Sequence, residues 1–207
     1  MDLIRSKEGN LRRSVVLMID EEDREDFLEF FERAASGLDY SYRLDEKGKL
    51  VIDIFGDKSS QRFAERKIRN AYRNFYIMKD RKMGLRRYPV EVIAELAAGV
   101  SIGLVEKSIK LKGRKLERRK DVLVTDLEPD EITDMINELR YSLDEIRPFV
   151  KQKMVREVLV LASFISGVNV VDMMEKAIDL GLIEEVNGIY YLRKNPDEII
   201  RMLVGGD

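Results

Sequence analysis

The sequence predicts an α+β protein whose N-terminal part has the order β-α-β-β-α and whose C-terminal part is mostly helical. The first observation is a β-branched apolar segment at residues 14–19, followed by apolar residues at helical spacing. The second is a pair of short apolar segments, residues 40–44 and 50–54, separated by the hairpin-type connection of residues 45–48. The third is a series of features that occurs twice after Pro89.

The two N-terminal helices are predicted from their caps and their apolar spacing. Asp20 and Asp23 are typical of a helix start, and the helix that follows should end near Gly37. A longer helix should begin with Asp57, Ser59 or Ser60 as its cap. Its predicted buried side consists of Phe63, Ala64, Ile68, Ala71, Tyr72 and Phe75.

The C-terminal part contains an internal repeat. Gly99 matches Gly167 at an offset of 68 residues, and Pro129 matches Pro196 at an offset of 67. Each series predicts a helix, a glycine-containing turn, a second helix, a hairpin and a third helix, with Asn187-Gly188 as a strong hairpin signal. We expect the matched residues Ile109 and Ile178 to be buried. Two helices that are joined by a tight turn and followed by a hairpin resemble a winged helix.

These observations predict three domains. The first is an α+β domain of residues 14–87, and its boundary is placed near residues 86–88 because the long helix ends before the sequence Arg-Arg-Tyr-Pro. Two winged-helix-like units should follow, at residues 89–147 and 150–205.

The composition argues against most enzyme classes. The 207 residues include no cysteine and no histidine, which excludes disulfides, thiolate or imidazole catalysis and zinc sites of the usual kind. No phosphate-binding glycine motif is present. Asp20, Asp53 and Asp126 could hold Mg²⁺, but Asp20 is interpreted as a helix cap and Asp53 as an outward-facing strand residue. We therefore expect no enzyme activity, no cofactor and no metal, and a carboxylate-dependent nuclease is the least favoured class.

Composition also predicts where the protein acts. Charged residues make up 37% of the chain, and many Glu, Lys and Arg residues without cysteine are typical of intracellular proteins of thermophiles. Residues 1–10 are charged and resemble no secretory signal, and the longest apolar run, residues 158–165, is too short to span a bilayer. We expect a soluble, cytoplasmic protein without a membrane partner.

The net charge of −2 hides two strongly basic segments. Residues 58–87 contain eleven cations and two acids, and residues 106–121 contain eight cations and three acids. Such segregation predicts a surface for a polyanion. The candidate nucleic-acid contacts of the first segment are Arg62, Arg66, Lys67, Arg69, Arg73, Tyr76, Lys79, Arg81, Lys82, Arg86 and Arg87. Those of the second are Lys112, Arg114, Lys115, Arg118, Arg119 and Lys120.

Aromatic residues interleave with the first basic segment, which favours RNA because cations bind phosphates and aromatic faces stack on bases. A non-enzymatic RNA-binding protein, possibly of RNA processing or translation, is therefore the leading hypothesis. The alternative is a protein-interaction subunit whose basic segment meets an acidic partner. The second repeat carries Asp172, Glu175 and Asp179 on its second helix, which would repel a nucleic acid, so it is interpreted as a protein-contact or packing unit.

A family resemblance accompanies the strand-to-helix junction at residues 51–56. This strand and its closing glycine, followed by Ala64 and Ile68, resemble the last strand and helix of a K homology (KH) domain. The resemblance covers about residues 14–81 and implies an RNA-binding fold of type I order. The sequence departs from it in having one helix where KH domains have two, and no GxxG loop between Asp20 and Gly37. The whole chain also resembles an uncharacterised archaeal family of KH-like proteins, which implies no activity.

Overall fold

The computed structural model describes residues 12–45 and 48–205. The chain divides into two compact units, and the boundary lies between Lys79 and Asp80. The division comes seven residues or more before the predicted one. Residues 1–10, on which the expectation about a secretory signal rests, and two residues of the predicted hairpin turn, 46 and 47, lie outside the described ranges.

The first unit has the predicted order of strands and helices. It consists of β1 (Arg13–Leu17), a short 3-10 helix (Glu21–Asp23), α1 (Arg24–Ala34), β2 (Tyr40–Leu44), β3 (Leu50–Ile54) and α2 (Lys58–Lys79). The strands form an antiparallel sheet of order β1-β3-β2. Asp57 caps α2, because its Oδ1 accepts hydrogen bonds from the backbone amides of Ser59 at 2.7 Å and Ser60 at 2.9 Å.

One face of this sheet and both helices enclose the core of the first unit. Phe27 and Phe31 of α1 and Ile52 and Ile54 of β3 are fully buried, together with Ile68 of α2. This burial removes a continuous apolar surface from water and is the main stabilising term for the unit.

Phe63 does not belong to this core, and its predicted burial is wrong: the side chain is 53% exposed. The buried row on α2 is Ala64, Ile68 and Ala71, with Phe75 partly buried at its end. Residue 63 precedes that row by one position, and one residue of an α-helix corresponds to a rotation of about 100°.

The second unit begins with two short strands and continues through two similar series of helices and hairpins. The first series is β4 (Arg81–Lys82), β5 (Leu85–Pro89), α3 (Val90–Leu96), α4 (Ile102–Leu111), β6 (Leu116–Arg119), β7 (Val122–Thr125) and α5 (Pro129–Ile146). The second series is α6 (Lys153–Ser166), α7 (Val170–Asp179), β8 (Ile183–Val186), β9 (Ile189–Leu192) and α8 (Pro196–Val204).

Pairing of β5 explains why the boundary precedes residues 86–88. The sheet has the order β4-β5-β7-β6, with Arg86 opposite Thr125 and Tyr88 opposite Leu123. The Tyr88 side chain is buried and its hydroxyl donates to the carbonyl of Leu127 at 2.8 Å. These long-range contacts assign β5 to the second unit, although it directly follows the long helix in sequence.

Helix α6 is buried along nearly its whole length. Its buried residues are Val155, Val158, Leu159, Val160, Leu161, Ala162, Ser163 and Phe164. It packs against α4 and α5 of the first series and α7 and α8 of the second. The two predicted winged-helix-like units therefore share one core. No single helix in the described ranges is long and apolar enough to span a membrane, and α6 and α7, which together reach that length, are bent by 110°.

The two series share their element order and their turn residues. Gly99 and Gly167 both have a positive φ, of 91° and 70°, and Pro129 and Pro196 are the first residues of α5 and α8. Ile109 is buried as predicted.

The predicted burial of Ile178 is wrong, because its side chain is 38% exposed. On α7 the buried row is Val170, Met173 and Ala177, with Met174 beside it. Ile178 lies one position beyond this row, as Phe63 lies one position before the buried row of α2.

We predict that fragments of residues 1–79 and 80–207 each unfold cooperatively in urea. Moving the cut to follow Arg87 removes most of β5 and leaves an edge of β7 unpaired, so a fragment of residues 88–207 should have a lower urea midpoint than 80–207. Circular dichroism measures both transitions. Equal midpoints would contradict the assignment of β5.

We predict that Leu159→Ala destabilises the second unit by about 2–5 kcal/mol, because the buried side chain leaves a cavity among packed helices. Met154→Ala, at the exposed N-terminal end of the same helix, should change the free energy of unfolding by less than about 0.5 kcal/mol. Urea denaturation of both variants tests this, and similar losses would show that α6 is not the centre of the core.

Candidate nucleic-acid interface

The candidate contacts lie on two surfaces, one in each unit. The α2 surface carries Arg62, Arg66, Lys67, Arg69, Arg73, Tyr76 and Lys79. The sheet surface of the second unit carries Arg81, Lys82, Arg86 and Arg87 on β4 and β5, and Lys112, Arg114, Lys115, Arg118, Arg119 and Lys120 on and beside β6. The first basic segment is thus divided between the two units. Its last four cations lie on the same sheet as the cations of the second basic segment.

The α2 surface is a row of arginines opposite the core. Arg62, Arg66, Arg69 and Arg73 recur at intervals of four, three and four residues, which is the spacing of one helix face. The buried row Ala64, Ile68, Ala71 and Phe75 has the same spacing shifted by two residues, or by about 200° around the helix. The arginine row therefore faces away from the sheet and is about 16 Å long.

The members of this row differ in their intramolecular contacts. In the described ranges Arg62 makes no ion pair or hydrogen bond, and the Arg66 guanidinium lies 5.8 Å from the ring centroid of Phe63. Arg69 is paired, since its Nε and Nη2 both lie 3.0 Å from Glu65 Oε1. Glu65 is the one carboxylate among seven cations of α2, so the helix itself supplies little negative charge to pair with them.

Three of the candidate side chains on α2 make contacts within the protein. The Lys67 ammonium donates to the Ser36 carbonyl at 3.2 Å. Lys79 hydrogen-bonds to the buried Asp23, and this contact raises the pKa of the lysine. The Tyr76 ring meets Tyr72 edge-on at 5.0 Å and is partly buried, which raises the pKa of its hydroxyl. The predicted stacking face of Tyr76 is therefore largely used inside the protein.

The sheet surface brings both basic segments together through strand pairing. Arg87 of β5 lies opposite Val124 of β7, which lies opposite Glu117 of β6, so these three residues share a face of the sheet. Arg119 lies on that same face, two residues after Glu117.

Most cations of the sheet surface have an acidic partner in the same unit. The shortest pairs are Arg86 with Glu128 at 2.6 Å, Arg118 with Glu106 at 2.6 Å and Arg119 with Glu117 at 2.7 Å. The others are Arg81 with Glu128, Lys82 and Arg87 with Asp80, and Arg114 with Asp126 and Glu131. Arg119 lowers the pKa of Glu117, and Arg86 lowers that of Glu128.

Three lysines of this surface have no such partner in the described ranges. The Lys112 ammonium lies 4.3 Å from the ring centroid of Phe164, in the geometry of a cation–π contact. Lys115 and Lys120 are exposed and make no side-chain ion pair within the described part of the chain. The sheet surface is therefore less positive than its sequence suggests, and the α2 surface is the stronger candidate.

Comparison with known proteins places the chain among archaeal proteins. A family model described as "Uncharacterized protein conserved in archaea (DUF2067)" matches residues 18–201. The chain belongs to the DUF2067 family. A relative from Methanocaldococcus jannaschii, "Uncharacterized protein MJ0388", is 28% identical over 190 residues, which cover 88% of this chain and 89% of the relative. No solved structure matches the chain. The expected membership of an archaeal family is confirmed.

The three candidate carboxylates of this DUF2067 protein make contacts within its fold. Asp53 alternates with the core residues Ile52 and Ile54 and so lies on the outward face of β3, as predicted. It is nevertheless only 3% exposed, because Ser14, Arg12 and Arg43 cover it. Ser14 donates to it at 2.6 Å, and this hydrogen bond is the main reason that the pKa of Asp53 is lowered.

The two other candidate carboxylates also have structural positions. Asp20 precedes the 3-10 helix without a side-chain cap bond, and its carbonyl accepts from the Asp23 amide at 2.9 Å. Asp126 accepts from the backbone amide of Lys115 at 3.1 Å. Among the described residues no group of three or more acidic side chains could hold a metal ion.

Sequence reasoning missed Phe63 as a surface residue of this DUF2067 protein. Phe63 was predicted to lie on the buried side of α2 because its side chain is apolar. The available signal was its position, because the row Ala64, Ile68, Ala71 and Phe75 already completes one helix face without it.

We predict that Asp53→Asn lowers the free energy of unfolding of the first unit at pH 7 by about 1–3 kcal/mol, because the charge-assisted network around this carboxylate is broken. The lowered pKa means that the carboxylate stabilises the fold above its unfolded pKa of about 3.9, and that this stabilisation is lost as pH falls through the folded pKa. The difference between variant and wild type should therefore shrink in acid.

Urea denaturation between pH 7 and pH 3 measures this difference. Asp39→Asn is the matched control, since Asp39 is an exposed carboxylate of the same unit. A deficit of Asp53→Asn that stays constant with pH would show that the charge of Asp53 does not stabilise the fold.

Proposed function

We propose that this DUF2067 protein is a non-enzymatic RNA-binding protein of the cytoplasm and that the α2 surface is its RNA contact. The observation that carries the proposal is the row of Arg62, Arg66, Arg69 and Arg73 opposite the core, with Glu65 as the one acid on the helix. An exposed helix normally mixes charges of both signs, because pairs of opposite charge stabilise it. A helix that omits them gives up this stabilisation, and a polyanionic ligand would supply the missing negative charge.

The chemistry of the row suits the phosphate backbone. A guanidinium offers several donors in one plane and binds phosphate oxygens in a bidentate manner. Each phosphate neutralised also releases condensed counterions, which favours binding at low salt. Such contacts position a strand without reading its sequence, so the proposal implies an affinity for RNA with little base preference at this surface.

The fold supports a finer proposal for each unit. The order β-α-β-β-α with a glycine after β3 supports a KH-like first unit, and without a GxxG loop its RNA contact would lie on α2 instead. In the second unit, two helices followed by a hairpin occur twice and support two fused winged-helix-like modules. The pairing of its cations with acids supports a secondary role for this unit in RNA binding.

We predict that Arg62→Gln combined with Arg66→Gln weakens binding to a mixed-sequence single-stranded RNA. The slope of log-affinity against log-salt should become shallower by about 1.4, because each phosphate that is no longer neutralised reduces it by about 0.7. The fold should persist, because both side chains are exposed. Fluorescence anisotropy at several salt concentrations measures the affinity and the slope.

The matched control is Lys115→Gln combined with Lys120→Gln, which removes the same charge from exposed positions of the second unit. Equal effects of both double variants would indicate diffuse electrostatic binding and contradict an RNA contact on α2. If wild type binds no RNA at low salt, the proposal fails. Recovery of a stoichiometric acidic protein after nuclease treatment would then favour a protein-interaction subunit.

A further inference from the structure

Helix α2 exposes one aromatic side chain within its arginine surface. Phe63 is 53% exposed, whereas Tyr72, Phe75 and Tyr76 are partly buried and contact one another or Phe27 edge-on. Of the four aromatic residues of α2, Phe63 is thus the one that lies outside the aromatic cluster and presents a ring to solvent.

The neighbours of Phe63 are cationic. Arg66 and Lys67 follow it by three and four residues on the helix, and the Arg66 guanidinium already lies 5.8 Å from the ring centroid. The ring therefore accepts a flat, delocalised group at its face, and it lies within one helical turn of two arginines that could hold phosphates. Phosphate contacts next to an aromatic face are the combination by which proteins hold unpaired nucleotides.

We infer that the α2 surface binds single-stranded rather than duplex RNA and that Phe63 stacks on an unpaired base. This inference rests on the proposed RNA-binding function and specifies the form of its ligand. The bases of an A-form duplex are stacked on one another, and its phosphates can meet the arginines but no base face can meet the ring. In a single strand both contacts form at once, so the aromatic ring distinguishes the two forms.

The test compares a mixed-sequence RNA of about 12 nucleotides with the same strand annealed to its complement. The full chain and three variants are used: Phe63→Leu, Phe63→Trp and Tyr141→Leu. Phe63→Leu keeps an apolar side chain but removes the aromatic face, and Phe63→Trp enlarges that face. Tyr141→Leu is the matched control, since Tyr141 is 70% exposed on α5 of the other unit.

Wild type is expected to bind the single strand more tightly than the duplex. Phe63→Leu should weaken single-strand binding by about 5- to 150-fold, the range for removal of one aromatic–base stack, and leave duplex binding and the salt slope unchanged. Phe63→Trp should retain the wild-type affinity, and Tyr141→Leu should have no effect. Quenching of tryptophan fluorescence in Phe63→Trp on addition of the single strand reports the stacking directly, because the chain has no other tryptophan.

The failure of this inference is distinguishable from that of the proposed function. If Phe63→Leu binds both forms like wild type while Arg62→Gln with Arg66→Gln weakens binding, the arginine row binds RNA but the ring does not stack, and the inference is overturned. Equal wild-type affinity for single strand and duplex also overturns it. If neither form binds to wild type, the proposed function itself fails.

Discussion

The second unit depends on the burial of helix α6. Residues 158–164 are all buried, so this stretch of about two turns has no side in contact with water. A helix with one apolar face can be covered by one partner, but a helix that is apolar all round needs partners on every side. Helices α4, α5, α7 and α8 supply them, and neither series of helices could enclose α6 alone. The two series are therefore one folding unit, although each has the outline of a separate module.

In the first unit, by contrast, the long helix α2 has one face in the core and the opposite face on the surface. Ala64, Ile68 and Ala71 face the sheet, and the arginine row lies across the helix from them. The charge on the outer side is not needed for packing, which is why it is informative about a ligand. In the second unit most of the cations are held by neighbouring acids, as Glu128 holds Arg81 and Arg86, and they are explained by the fold itself.

The order of helices and strands, apart from β4 and β5, followed from periodicity and turn residues, because these signals are local. Two of the details that failed, the burial of Asp53 and the unit boundary, depend on contacts distant in sequence. Asp53 is polar and occupies an alternating strand position, but Arg43 of β2 and Arg12, which precedes β1, pair with it and cover it. Phe63 and Ile178 are apolar residues next to a buried row, and composition alone could not separate them from it. The unit boundary precedes the predicted one because β5 pairs with β7, about 35 residues later in the chain, and no local sequence pattern predicts that pairing.

The composition of the α2 surface also determines how it can be regulated. Its outer row consists of arginines, and the chain contains no histidine, the side chain whose charge usually changes near neutral pH. Acidification within the physiological range would therefore leave the electrostatic field of this helix unchanged. Control of such a surface would have to come from ionic strength, from competition by another polyanion or from a covalent change. Ser59 and Ser60, exposed in the first turn of the same helix, are places where an added phosphate would lower its positive charge.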